Sequence, residues 1–393
     1  MKKLLLASAA TALMAGAASA QDVKLGVLLG FTGPLESITP AMGAGADLAI
    51  KEVNDSAKFT LGTVSAVRGD STCIDAAAAT AAAERLVTAD GVTAIVGGDC
   101  SGVTGAVLQN VARPNGIGMI SPSATSPALS TAEDDGLFFR TAPSDARQGE
   151  IMADILTEKG IKSVALTYTN NDYGKGLADS FGAAFAAKGG SVTISAPHED
   201  GKADYSAEVA SLASAGGEML VVAGYVDQGG KGVIQASLDS GAFSTFYLVD
   251  GMYGDALIEA IGEPLNGSFG AVPGTDSEGA TKFQEMATAA GFDGTSAFSP
   301  ESYDAAALIL MSMAAANSTN SKDWTTKVMD LANAPGEPIL PGELGKALEL
   351  IAAGTDIDYI GATAVELVGA GESAGNYREY SITDGAITTV GFR

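Results

Sequence analysis

Residues 23–53 read VKLGVLLGFTGPLESITPAMGAGADLAIKEV, and residues 63–68 follow with TVSAVR. Val23–Leu29 is short, dominated by Val and Leu, and reads as a strand. Gly30-Phe31-Thr32-Gly33-Pro34 is a turn-forming break. From Pro40 to Val53 apolar side chains return at Ala41, Ala44, Leu48 and Val53, near helical spacing, and Thr63–Arg68 is again strand-like. Strand, loop, helix and strand make a βαβ unit, and such units build parallel sheets.

The rhythm continues outward from this unit. Ile74–Thr88 is Ala-rich and helical, Thr93–Val96 a short apolar strand, Val103–Val111 a helix and Gly116–Ile120 the next strand. It restarts after Arg140-Thr141-Ala142-Pro143. Helices are expected at Ala146–Lys159, Tyr173–Lys188, Tyr205–Ala215, Gln228–Ser240 and Asp255–Ile261, separated by strands at Ser163–Tyr168, Ser191–Ser195, Glu218–Ala223 and Thr245–Val249. Gly267–Pro273 reads as a link. Beyond it come helices at Glu278–Ala290, Pro300–Ala316, Lys322–Ala332 and Leu344–Ala353, then strands between Ile360 and Phe392. Helices without a sheet of their own need one to cover. The simplest arrangement has the last hundred or so residues completing the two preceding halves. The expected fold class is therefore α/β, with two doubly wound parallel-sheet lobes. Residues 21–140 and 274–376 would form the first lobe, and residues 141–273 and 377–393 the second.

The ends and the composition bound the function. Met1-Lys2-Lys3, an apolar stretch from Leu4 to Ala15, and Ala18-Ser19-Ala20 give the charged, apolar and small-residue order of a secretory signal peptide, cut after Ala20. The competing reading is a membrane anchor, but about twelve apolar residues are too few to span a bilayer. No cysteine follows the cut, which argues against a lipid anchor, and the mature chain is expected to be soluble. Removing 20 residues from 393 leaves 373, enough for two domains. The net charge of −25 becomes −27 once Lys2 and Lys3 are lost. Such a chain repels nucleic acid and anionic lipid, so neither is an expected partner.

Catalytic and metal motifs fare poorly. His198, the single histidine, sits in Ala196-Pro197-His198-Glu199-Asp200, read as a loop, and both Ser–His–Asp and Cys–His catalysis would depend on it. No nucleophile elbow is expected. Gly174-Lys175-Gly176 opens a helix, but Asp179 stands where a dinucleotide fingerprint needs its third glycine. Glu133-Asp134-Asp135 is the one acidic cluster to weigh for calcium, against the plainer reading of a solvated turn. No cofactor and no metal are expected. The two cysteines, Cys73 and Cys100, pair as a rule in an exported chain, and the bridge would stabilise by roughly 3–4 kcal/mol. A reactive or metal-binding thiol pair is the alternative.

Three small-polar loops follow strands of the first half: Gly30–Pro34, Gly97-Gly98-Asp99-Cys100-Ser101, and Ser121-Pro122-Ser123-Ala124-Thr125. Loops at the carboxyl ends of parallel strands line the ligand crevice, and hydroxyls with free N–H groups there suit a carboxylate. Taken singly, each loop reads as turn chemistry; three at corresponding strand ends point to a site. The second half offers Asn171-Asp172-Tyr173-Gly174, Gly224-Tyr225-Val226-Asp227 and Asp250-Gly251, which supply two aromatics and an acid able to pair with an ammonium group.

With Thr32-Gly33-Pro34, Asp70-Ser71-Thr72-Cys73, Cys100-Ser101, Ser121–Thr125, Asp172-Tyr173-Gly174 and Ser302-Tyr303-Asp304-Ala305-Ala306 in this order, the chain resembles the leucine/isoleucine/valine-binding type of periplasmic solute-binding protein. These are the capture subunits of ABC importers. The resemblance covers almost the whole mature chain. It implies a periplasmic location, two lobes joined by several crossover segments, closure over a small zwitterion such as an amino acid, and a Cys73–Cys100 disulfide. It also implies an inner-membrane ABC permease as partner and a monomeric, non-enzymatic protein. By position, Ser101 and Thr125 would hold the ligand carboxylate. The Ser123 carbonyl, next to Ala124, and Asp250 would take the ammonium. Tyr173 and Tyr225 would close over the ligand. Two departures stand out. Asp250 replaces the family's usual glutamate, and Ile38, near Glu36, stands where an aromatic is common. A sensor on the same fold, or a binder of a small amide or carboxylate, is the alternative function.

Overall fold

The computed structural model describes residues 22–393; the signal-peptide reading of residues 1–20 lies outside them. Five parallel strands come first: β1 (Val23–Leu29), β2 (Val64–Asp70), β3 (Ala94–Gly97), β4 (Gly118–Ser121) and β5 (Phe138–Pro143). A second run follows: β6 (Ser163–Thr169), β7 (Ser191–His198), β8 (Met219–Ala223), β9 (Phe246–Leu248) and β10 (Phe269–Pro273). The remainder supplies β11 (Glu337–Ile339), β12 (Ile357–Tyr359), β13 (Leu367–Val368), β14 (Glu372–Ser373), β15 (Tyr377–Thr383) and β16 (Ala386–Phe392).

Two seven-stranded sheets result. One has the order β13-β14-β5-β4-β3-β1-β2 and the other β16-β15-β10-β9-β8-β6-β7, with β11 and β12 pairing apart. The chain passes from one sheet to the other after Pro143, after Pro273, and between Ser373 and Tyr377. The central strands are sandwiched by helices, so β3, β4 and β8 are buried at every residue. β7, an edge strand, alternates in exposure as a one-sided strand should.

One segment read as a link is a strand, and one left unassigned is too. Gly267–Pro273 contains β10, which lies between β9 and β15; Arg140–Pro143, after which the rhythm restarts, is the end of β5. Both are short and rich in Gly, Ala or Pro, and only their buried neighbours make them strands. The helix expected at Lys322–Ala332 is broken into Ser321–Trp324, a turn of 3₁₀ helix and Val328–Leu331. The helix expected from Ile74 starts at Ala76, because the Asp75 carboxylate accepts the N–H groups of Ala77 (2.9 Å) and Ala78 (3.0 Å).

Helix Ser299–Ala316 buries fourteen of its eighteen residues and packs on helix Thr39–Ser56. Its neighbours come close because Gly45 has no side chain: a Cβ there would stand 2.4 Å from the Ser299 carbonyl oxygen. Asp304 on this helix holds the tail, accepting Tyr359 OH (2.7 Å), the N–H groups of Ala362 and Thr363, and the Thr363 hydroxyl. Burial raises its carboxyl to about 6 despite those four donors. Among the described residues no helix is long and apolar enough to cross a membrane.

Candidate functional site

The strand tips of the first sheet carry the hydroxyl-rich loops, and each loop is fixed from within. Cys73 and Cys100 form a disulfide that ties the segment after β2 to the segment after β3. The neighbouring Asp99 is fully buried and accepts the Gly30 N–H (2.8 Å) and the Ser71 hydroxyl (2.6 Å), with burial pushing its carboxyl up. Cys73, Asp99 and Cys100 are the one group of potential metal ligands brought together among the described residues, but their sulfurs are bonded to each other. Ser121 donates to the Gly98 carbonyl (2.6 Å) and accepts the Ala124 N–H (2.9 Å). The Ser123 hydroxyl donates to the Asp99 carbonyl (2.9 Å). Arg140, buried in β5, donates to the carbonyls of Ala124 (3.0 Å) and Ser126 (2.9 Å) and pairs with Glu372 (2.5 Å).

Two hydroxyls keep capacity for a ligand. Ser101 Oγ accepts the Ser126 N–H (3.0 Å), which leaves its own hydrogen to donate. Thr125 Oγ1 is buried beside the Asp145 carboxyl, which its hydroxyl helps to stabilise.

The second sheet contributes an acid and two rings. Asp250, 2% exposed, follows β9; its Oδ1 accepts Tyr173 OH (2.6 Å) and the Gln148 side-chain amide (3.0 Å). Burial raises its carboxyl and these donors oppose the rise. Tyr173 stacks on Tyr225, with ring centroids 5.2 Å apart and planes at 17°. Asn171 caps its helix through Gly174 N–H (3.0 Å) and donates its amide to Tyr225 OH (3.2 Å). Gly251 is required here: a Cβ would lie 2.8 Å from Tyr173 OH, which instead accepts the Gly251 N–H (3.2 Å).

The two sets of tips meet. Asp145 N–H donates to the Thr125 carbonyl (2.8 Å). Asp227 N–H donates to the Pro34 carbonyl (3.1 Å), and its carboxylate accepts the Ser37 N–H (2.9 Å). A side chain at Gly176 would strike the Pro127 ring at 2.9 Å, and one at Gly254 would touch Ile38 at 3.4 Å. Ser101, Ser123, Ala124, Thr125, Tyr173, Tyr225 and Asp250 are all at most 9% exposed in this closed seam. The larger hollows, of about 660 and 670 Å³, open elsewhere, one beside Lys327 and Asp330 and the other beside Tyr205 and Gln235.

Asp145, Gln148 and Tyr377 were not singled out from the sequence. Asp145 is fully buried, and Asp250 adds to the burial that raises its carboxyl. Tyr377 opens β15, and its hydroxyl feels the charges of both acids. The only available signal was position: Asp145 and Tyr377 each begin an element immediately after a crossing between sheets.

His198 ends β7 rather than lying in a loop; its Nδ1 meets the Thr167 hydroxyl (2.8 Å), and burial lowers it to about 4. Glu133 and Asp135 pair with Arg113, and Asp134 accepts the Gly136 N–H (2.9 Å), so that cluster is a solvated turn. The expectation of no nucleophile elbow needs correcting at the level of spacing. Gly371-Glu372-Ser373-Ala374-Gly375 has the G-x-S-x-G pattern. Ser373, however, lies in the two-residue strand β14 and not at a strand-to-helix turn, the geometry an elbow requires.

Comparison with known proteins agrees with this architecture. A family model described as periplasmic binding protein matches residues 22–337. A Leu/Ile/Val-binding protein homolog of Brucella melitensis is 35% identical over 244 residues, spanning 58% of this chain and 62% of that protein. The substrate-binding protein BasB of a chemotactic signal transduction system in Halobacterium salinarum is 30% identical over 389 residues, covering 94% of this chain and 89% of that one. Among solved structures, the leucine-binding protein LivK of Thermotoga maritima superposes with a TM-score of 0.79 at 21% identity, covering 94% and 98% of the two chains, and shares the fold.

Proposed function

This chain belongs to the periplasmic binding protein family, and on that premise we propose that it captures a free amino acid, or a similar small zwitterion, and delivers it to the permease of an ABC importer. The observation that carries the reading is the placement of Asp250. A buried carboxylate, framed by Tyr173 and Gln148, shares the closed seam with the buried Thr125 and Ser101 hydroxyls of the first sheet's tips. An acid opposite hydroxyl donors matches a ligand carrying both charges.

In this reading Ser101 and Thr125 donate to the ligand carboxylate. The Ser123 carbonyl and Asp250 accept from the ammonium, and Ala124 is a backbone spacer held by Arg140. Tyr173 and Tyr225 cover the ligand from the second lobe. The lobes exchange chain near residues 143, 273 and 376, and hinge closure about those crossings traps the solute. The protein acts as a monomer in the periplasm after cleavage following Ala20, and no reaction is part of its cycle. The branched-chain relatives support an aliphatic side chain. Calorimetry against the twenty L-amino acids, small amides, carboxylates and betaines tests the reading. Submicromolar binding of an amino acid is expected in the wild type, and loss of that binding in Asp250→Ala and in the Ser101→Ala/Thr125→Ala pair. Tight binding only of a solute lacking an ammonium group would overturn it.

The similarity to a chemotaxis protein over 94% of the chain favours a second reading, a sensor that reports occupancy to a receptor. Uptake of the labelled solute by cells with and without the gene separates the two: a sensor leaves uptake unchanged.

A further inference from the structure

Away from the seam, a hollow of about 260 Å³ lies where the chain crosses between the sheets. Pro273, at the end of β10, and Arg378, in β15, line it from the second sheet. Glu301, on helix Ser299–Ala316, lines it from the other half, with Thr295 and Thr363 beside it. Phe392, 41% exposed, also lines it, so the hollow reaches the surface. The seam is a separate place. Side chains of β15 alternate between its faces. Tyr377 turns toward Asp145 and Asp250, whereas Arg378 and Tyr380 pack on the Tyr253 ring, and none of the residues given to the solute lines the hollow.

Its walls hold two polar groups that the fold leaves unfinished. Glu301 is 2% exposed; its own backbone N–H supports the carboxyl, but Oε2 has no partner. Arg378 donates Nη2 to the Thr295 carbonyl (3.1 Å) and lies over Tyr253, 4.7 Å from the ring centroid. Its Nε is buried without an acceptor, and the guanidinium joins no ion pair among the described residues. The nearby acid does not supply one. Burial, with the charge of Asp304 acting the same way, pushes the Glu301 carboxyl up to about 8, so near neutral pH it is an O–H donor rather than a counter-ion. A guanidinium without a counter-ion and a neutral acid, at the positive end of an eighteen-residue helix, together call for an anion that accepts from both. A carboxylate has the two coplanar oxygens that an arginine edge and an acid proton require. At about 30 Å³ per water, the hollow has room for a carboxylate of a few heavy atoms.

We propose that this hollow is a second binding site, for a small carboxylate anion held by Arg378 and Glu301. It goes beyond amino-acid capture and does not depend on what the seam takes. Glu301 rides on the helix packed against Thr39–Ser56, and Arg378 belongs to the second sheet, so the bound anion touches both halves of the molecule at their crossings.

Acetate is the probe, titrated into the wild-type chain in chloride-free buffer near neutral pH and followed by saturation-transfer NMR. Saturable binding tighter than about 10 mM is expected. Acetamide, its uncharged counterpart, should bind at least roughly tenfold more weakly. Arg378→Lys keeps the charge but loses Nε, and Glu301→Leu removes the O–H donor; each should weaken acetate roughly tenfold. The Ser101→Ala/Thr125→Ala pair should still take acetate, which separates the hollow from a carboxylate held in the seam. The acetamide comparison needs no substitution and so stands even if a variant fails to fold. Four results overturn the proposal: no saturation with acetate, equal affinity for acetamide, wild-type affinity in folded Arg378→Lys, or loss of acetate in the seam pair. None of them touches amino-acid capture.

Discussion

The two faces of the seam are built on different principles. On the first-lobe side, the loops at Ser101 and Ser121–Thr125 are locked by their own hydrogen bonds, by Arg140 and by the Cys73–Cys100 bridge. On the second-lobe side, Asp250 is held by side chains from two helices, and the orphaned groups cluster around it. The first face is a finished cradle. The second keeps buried polar atoms without partners, which the proposed ligand would satisfy. A rigid cradle sets geometry, whereas an unsatisfied charge sets affinity, because its desolvation cost is recovered only on binding.

That contrast can be broken in a definite order. The largest effect is expected from Asp250→Ala, which should weaken amino-acid binding by roughly 100- to 1,000-fold, read by calorimetry, while the ligand-free protein melts no lower than wild type. A low-melting variant would place Asp250 in the structural half of the comparison. Next, replacing Cys73 and Cys100 by serine should cost roughly 3–4 kcal/mol in urea unfolding. Affinity measured on the folded fraction should fall less than it does for Asp250→Ala.

Glu301, on the long buried helix, gives a third and pH-dependent handle. It is fully buried, its Oε2 lacks a partner, and burial pushes its carboxyl up to about 8. The folded chain therefore keeps this proton to about pH 8, while the unfolded chain releases it near 4.5. Between those values the unfolded state binds fewer protons, so stability declines as pH rises through the window and levels off above about 8. Glu301→Gln removes the decline and should gain on the order of 2 kcal/mol at pH 8 relative to wild type, with little difference at pH 4.5. A flat difference between the two pH values would show that Glu301 does not titrate in that window. The smallest effect is expected at the mouth. Asp227→Ala removes the acceptor for the Ser37 N–H across the seam and should raise the dissociation rate about three- to tenfold with little change in association.

The sequence was most informative where chain-local physics is strong. β1, Val23–Leu29, was placed to the residue, and the helices closed by Gly160, Gly189 and Gly216 were placed within a residue or two, because apolar runs and glycine stops act over a few positions. The disulfide also followed from the two cysteines and their context. Reading failed for β10, whose Gly, Ala and Pro content resembles a linker until strands on both sides bury it, and it assigned no element to β5. It failed for Asp145 for a related reason. Nothing near Pro143-Ser144-Asp145 distinguishes an exposed helix start from a carboxylate buried beside an acid more than a hundred residues away.

The sequence by itself determined the alternation of strands and helices, the polar character of the strand tips and the presence of an acid and two tyrosines among them. Those depend on periodicity, turn chemistry and residue type, all of which act locally. Only the tertiary structure decided that the third segment divides between two sheets, that the tips face one another, and that Asp145, Gln148 and Tyr377 are buried around Asp250. Burial and desolvation arise from the whole packed chain, and no window of neighbouring residues contains them.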